Sequence, residues 1–132
     1  MKTSEIFPKG QKAAENFTGD TWVQMLTTDG ENFDAMSYNV TFAAGSRTDW
    51  HSHPGGQILY CTSGKGCYQE KGKPVQHLAA GDVVEIKPDI VHWHGATPDS
   101  EFVHLGISTQ LTKGPAPWYG AVSAEEYAEA GK

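Results

Sequence analysis

The feature that most limits the fold of this chain is its punctuation. Short apolar runs recur, each bounded by Gly, Pro, Asp or Ser: TWVQMLT (21–27), MSYNVTFA (36–43), QILYCTS (57–63), GCYQEK (66–71), PVQHLA (74–79), DVVEIK (82–87), VHWHGAT (91–97) and FVHLGIS (102–108). Runs this short, rich in β-branched and aromatic residues, read as strands rather than helices. SGKG predicts a tight turn between two strands, as do EKGKP and AAGD. About eight short strands in 132 residues fit one all-β domain, a jelly roll or small barrel whose inner face is lined by alternate residues. A chain of this length can bury a core without staples. We expect one domain over 1–132, with a barrel at about 20–110, an irregular N-terminal arm over 1–18 and a turn of helix at Gln11–Asn16. Ser123 followed by Glu126 is a capping box and predicts a short C-terminal helix at about 123–130.

Charge and cysteine content remove several function classes. The net charge is -6 and no basic run is present, which argues against nucleic acid as a partner. No apolar run reaches membrane-spanning length, and MKTSEIFPKGQKAAENF carries neither an apolar h-region nor a cleavage signal, so the expected compartment is the cytoplasm. Cys61 and Cys67 are too few for a disulfide framework. They read as reduced structural thiols that could face each other across the SGKG hairpin.

All six histidines fall between residues 51 and 104. On a strand, residues i and i+2 share a face, so His51 and His53 point the same way, and His92 and His94 also share a face. His104 lies on a third candidate strand, and His77 is isolated and reads as structural or exposed. Two His-x-His pairs on different strands of one small barrel are hard to explain as packing, whereas neutral imidazoles can hold a metal ion without carrying negative charge into an apolar interior.

Gly45, His51-x-His53, Gln57 and Gly64 form one block, and Gly81, Pro88 and His92 form a second. This pattern resembles the cupins, small β-barrel proteins with two such motifs, over about residues 36–108. The resemblance implies a cupin jelly-roll barrel and one divalent transition metal, manganese foremost and iron, nickel, cobalt or zinc as alternatives. It implies His51, His53, Gln57 and His92 as ligands. Gln57 stands where the family pattern has Glu, and Ile90 where many members have Gly after the Pro. The segment from Arg47 to Ile107 also resembles a subgroup of short bacterial cupins that includes the manganese-dependent hydroxynitrile lyases and cupins associated with carboxymuconolactone decarboxylases. By that resemblance His94, His104 and Thr48 approach the substrate, and the tail with Trp118, Val122 and Glu125 to Tyr127 is shared. Ser108 stands where those lyases have Gln.

Three imidazoles and an amide are neutral donors, so a bound ion would keep its full charge and act as a stronger Lewis acid than with a Glu ligand. His94 and His104 could then move protons, with Thr48 and Tyr38 supplying hydroxyl hydrogen bonds. Alternation places Leu59, Cys61, Val40 and Phe42 on the inner face, which predicts a small apolar pocket for a small molecule. Arg47, Trp50 and Trp93 should point away, the tryptophans packing between sheets or at a subunit interface. The functional expectation is a redox-neutral metalloenzyme on a hydroxy or carbonyl compound, a cyanohydrin C–C lyase being its sharpest form. The alternatives are an iron-dependent dioxygenase and a non-catalytic metal or ligand-binding cupin. Edge pairing predicts a homodimer or homotetramer.

Overall fold

The computed structural model describes residues 6–132. In chain order its strands are β1 (Gln11–Lys12), β2 (Phe17–Thr18), β3 (Thr21–Met25), β4 (Ala35–Phe42), β5 (Arg47–Thr48), β6 (Trp50–His51), β7 (Gln57–Glu70), β8 (Gln76–Ala79), β9 (Val83–Ile86), β10 (His92–Ala96), β11 (Phe102–Thr109) and β12 (Trp118–Gly120). Among the described residues, helix is confined to α1 (Gly30–Phe33), α2 (Ala124–Tyr127) and short 3-10 turns at Leu111–Lys113 and Ala128–Gly131. No helix among the described residues is long and apolar enough to cross a membrane.

Every pairing among the described residues is antiparallel, and the main order is β1-β3-β4-β11-β7-β10-β5-β2. The fold is the expected all-β jelly-roll barrel with a short C-terminal helix. Strand β7 joins its two walls. Residues 57–64 of β7 pair with β11, and residues 66–70 pair with β10. This corrects the SGKG turn. Gly64 does take a positive φ of 77°, but the chain bends there and runs on as one 14-residue strand. A Cβ on Gly64 would lie 1.8 Å from the Glu101 carbonyl oxygen, so only glycine lets the bend press against the neighbouring chain. Cys61 and Cys67 therefore lie along one strand, in separate cores, rather than across a hairpin; both are free and buried. The EKGKP and AAGD turns separate strands as expected.

The expected helical turn at Gln11–Asn16 is absent. Gln11 and Lys12 instead pair with Val23 and Trp22, and Asn16 has a φ of 70°, which a helix cannot accommodate. Phe17 and Thr18 add to β5, so the N-terminal segment is drawn into the sheet.

Two cores follow from strand alternation. The inner one contains Val40, Phe42, Leu59, Cys61, Tyr68 and Phe102. Burying each large side chain of this kind contributes roughly 1.5–3 kcal/mol. The outer one puts Trp50, Cys67 and Trp93 beneath Val122, Tyr127 and Ala130. The tryptophans do point away from the inner face, but their cover is the C-terminal helix rather than a second sheet or a subunit interface. Ser123 and Glu126 form the capping box, and Glu126 Oε1 also accepts from Trp50 Nε1 at 3.3 Å. Arg47 belongs to the same layer. It donates to the Val122 carbonyl at 3.0 Å and stacks over Tyr127, which keeps its charge out of the barrel.

Candidate metal and catalytic site

The register of β10 brings the two histidine pairs together, with His92 directly opposite His51 of β6. His53 follows on a turn closed by the Gly56 N–H donating to the His53 carbonyl at 3.1 Å. Gly56 has a φ of 89°, and a Cβ on Gly55 would lie 1.9 Å from the Thr109 carbonyl oxygen. The Pro-Gly-Gly sequence thus lets the chain reverse tightly against the end of β11 and brings Gln57 back to the same pocket as His53.

Ligand-capable nitrogens of His51, His53 and His92 all lie within 4.8 Å of one another. Two tautomers are fixed by backbone. His51 Nδ1–H donates to the Asp49 carbonyl and His92 Nδ1–H to the Ile90 carbonyl, both at 2.9 Å. Each Nε2 is then a lone pair. His92 Nε2 sits 3.3 Å from Gln57 Oε1. With this tautomer both atoms are acceptors, a pair that a cation between them would satisfy. His53 Nε2 is buried with no hydrogen-bond partner. An orphaned nitrogen, two fixed lone pairs and a facing carbonyl oxygen fit a divalent cation. The outer end of the Gln57 amide is held by Tyr38, whose Oη accepts from Gln57 Nε2 at 2.6 Å and lies 2.7 Å from Ser108 Oγ. Burial raises the Tyr38 phenol above its ordinary range, so it remains protonated.

Residues 38–107 match the Cupin domain family, more than half of the chain. The chain belongs to the cupins. This cupin is 37% identical over 118 residues to the (R)-mandelonitrile lyase of Granulicella tundricola, covering 89% of this chain and 90% of that protein. A cupin-like protein from Thermotoga maritima superposes with a TM-score of 0.92 at 59% identity, covering 96% of each chain. A cupin-2 domain from Rhodospirillum rubrum shares the fold, with a TM-score of 0.72 at 16% identity over 97% of this chain and 85% of that one.

Beside the histidine cluster lies a largely apolar pocket of about 290 Å³, whose walls include Met36, Val40, Thr48, His94, Ser108 and Trp118. Val40 lines it as expected. Phe42, Leu59 and Cys61 share the inner face but fill the barrel core instead. His94 has a buried Nε2 without a partner, while its Nδ1 lies 3.1 Å from His104 Nε2. His104 is fully buried behind His94. Thr48 Oγ1 accepts the His94 backbone N–H at 3.2 Å. His77 stands apart, exposed, with Nε2 3.0 Å from the Ala130 carbonyl oxygen.

Two features of the site were not read from the sequence. The Trp118 indole stacks on the His51 imidazole with centroids 4.5 Å apart, because β12 pairs Trp118 with His51. The link from Gln57 through Tyr38 to Ser108 depends on the β4–β11 and β11–β7 registers, which put Ser108 opposite both Met36 and Gln57. Inner-face alternation on 36–43 and 102–108 placed both hydroxyls on candidate strands, but no local signal paired them.

Burial holds the imidazoles neutral. His53, His92 and His104 are pushed down to about 4, and His51 and His94 lie well below the ordinary value of 6.5, desolvation being the main cause throughout. For His104 the folded pKa lies below the unfolded one, so between pH 6.5 and 4 the unfolded chain binds more protons. Stability is full above pH 6.5 and falls as pH drops toward 4, by up to about 1.4 kcal/mol per pH unit for such a histidine. Urea unfolding of the metal-free protein should show a clearly lower midpoint at pH 5 than at pH 7. Equal midpoints would mean that the buried imidazoles accept protons inside the fold.

Proposed function

We propose that this cupin is a redox-neutral metalloenzyme that cleaves and forms the C–C bond of a small cyanohydrin. It would hold one divalent ion, manganese foremost, on His51, His53, Gln57 and His92. The observation that carries this reading is His94, a neutral imidazole with an unpartnered Nε2 in the wall of an apolar pocket, its ring centroid 5.5 Å from that of His51 in the histidine cluster. The likeness to a mandelonitrile lyase along most of both chains supports the substrate class.

When bound, the ion supplies positive charge beside the substrate oxygen. The residues of the chain do the rest. The neutral donor set leaves that charge undiminished. In the cleavage direction His94 Nε2 accepts the cyanohydrin hydroxyl proton. The C–C electron pair departs with cyanide, and the oxygen closes to an aldehyde carbonyl. His94 then returns the proton to cyanide, so aldehyde and hydrogen cyanide form with no net oxidation. His104, 3.1 Å from His94 Nδ1, shares the proton on the far nitrogen and orients the ring, acting through His94. Thr48 fixes the His94 backbone and has its own hydroxyl proton free for the pocket. The apolar wall suits an aryl or alkyl group. A pocket near 300 Å³ is at the lower end of the range for small ligands, which matches a compound the size of mandelonitrile.

The test is racemic mandelonitrile offered to protein loaded separately with Mn, Fe, Ni, Co or Zn, with and without oxygen. Benzaldehyde release above the metal-only blank, equal in air and under anaerobic conditions, is expected. Release from none of the metal forms would overturn the reading, and turnover that requires oxygen would replace it with the iron-dependent dioxygenase.

A further inference from the structure

We infer that Tyr38 is the positioning residue that makes Gln57 a metal ligand, by accepting the amide N–H that would otherwise turn inward and close the site. This rests on the proposed metal role of the histidine cluster.

A glutamine ligand has a difficulty that a glutamate lacks. Its amide can face the cluster with either end. With Oε1 inward it offers a lone pair to a cation. With Nε2 inward it donates to an imidazole lone pair instead, and His92 Nε2, 3.3 Å away with its other nitrogen committed to the Ile90 carbonyl, is a ready acceptor. That second arrangement satisfies both groups and leaves no place for an ion. The balance depends on what the amide N–H meets when it faces outward. Gln57 is buried, so an N–H turned away from the cluster without a partner would be strongly disfavoured. Tyr38 removes that penalty. Its Oη accepts from Gln57 Nε2 at 2.6 Å. With that lone pair engaged, the phenol keeps its one proton for a neighbour other than the amide, and Ser108 Oγ lies 2.7 Å away. A hydroxyl that both accepts and donates suits this place, and a phenylalanine of the same shape would not serve. Ser108 completes the link and lines the pocket.

The test is metal affinity, measured by titration with Mn²⁺ alone and repeated with Zn²⁺, for the full chain and three variants: Tyr38→Phe, Gln57→Glu, and the two combined. Tyr38→Phe should weaken binding by about 10–100-fold, the range for losing a hydrogen-bond partner behind a ligand. In the Gln57→Glu background the same change should leave affinity unchanged or slightly tighter, because a carboxylate has no N–H to orphan and no wrong way round. An equal loss in both backgrounds would mean that Tyr38 acts only on the packing of the site, and no loss in either would mean that the amide is oriented without it. Either result overturns the inference. If the unaltered protein fails to bind either ion, the metal site itself fails, a different and separable outcome. Thermal unfolding of the metal-free variants should match the parent within a few degrees, which separates loss of affinity from loss of fold.

Discussion

Replacing His94 with glutamine is expected to lower kcat/KM for cyanohydrin cleavage by about 10²–10⁴-fold, the usual contribution of a positioned acid or base, while bound metal stays at the level of the parent protein. The separation of the two readouts follows from where the ring sits. His94 shares a face of β10 with His92, yet the cluster of mutually close donor nitrogens contains His51, His53 and His92 and not His94. Its Nε2 is left without a partner, in the pocket wall. Glutamine retains polarity and most of the volume but cannot accept and return a proton. The companion change His104→Gln should give a smaller loss, together with a shift of the acidic limb of the pH–rate profile, because His104 acts on the basicity of His94 through the 3.1 Å contact. Activity retained in His94→Gln would remove the proposed base. Metal lost together with activity would make His94 a ligand.

The sequence made the histidine cluster legible because strand alternation is a strict rule: i and i+2 share a face whatever the rest of the fold does. His92 and His94 share a face of β10 on that rule, but His53 lies on the turn after β6, so its approach to His51 comes from that turn, and alternation does not say which of His92 and His94 turns toward them. That was decided by register, with His92 opposite His51. Gln57 was placed by resemblance to a motif, and its physical partner, Tyr38, lies on another strand whose alignment no local pattern encodes. The SGKG segment bends rather than turns for the same reason. A glycine at positive φ serves a hairpin turn and a bend within a strand equally well, and only the partners on either side, β11 before Gly64 and β10 after it, show which one forms. The capping box needs no partner beyond its own four residues, and it forms where the sequence predicts it. For Trp50 and Trp93 alternation fixes the side of the sheet and not what lies there, which is the C-terminal segment with Val122, Tyr127 and Ala130.

His53→Ala should abolish stable metal binding without harming the metal-free fold, and the contrast between those two outcomes is the strongest check on the site. His51 and His92 are each tied to a backbone carbonyl, and His51 also supports Trp118 by stacking. Removing either one would disturb structure as well as ligation. His53 has no hydrogen bond at its buried Nε2 and sits half-buried on a turn, so its imidazole is conspicuous chiefly as an unused donor to the cluster. Its deletion should weaken metal affinity by more than the roughly 10–100-fold associated with an outer partner of a ligand, and elemental analysis after dialysis should find the variant nearly empty. The linkage consequence can be measured without any substrate. An ion that binds only the folded state at a hundred times its dissociation constant stabilises it by about 2.7 kcal/mol, enough to move the thermal midpoint of a chain this size by several degrees. Adding Mn²⁺ should therefore raise the midpoint of the parent protein and leave that of His53→Ala where it was. An identical rise in both would place the ion elsewhere and end the assignment of this cluster as the metal centre.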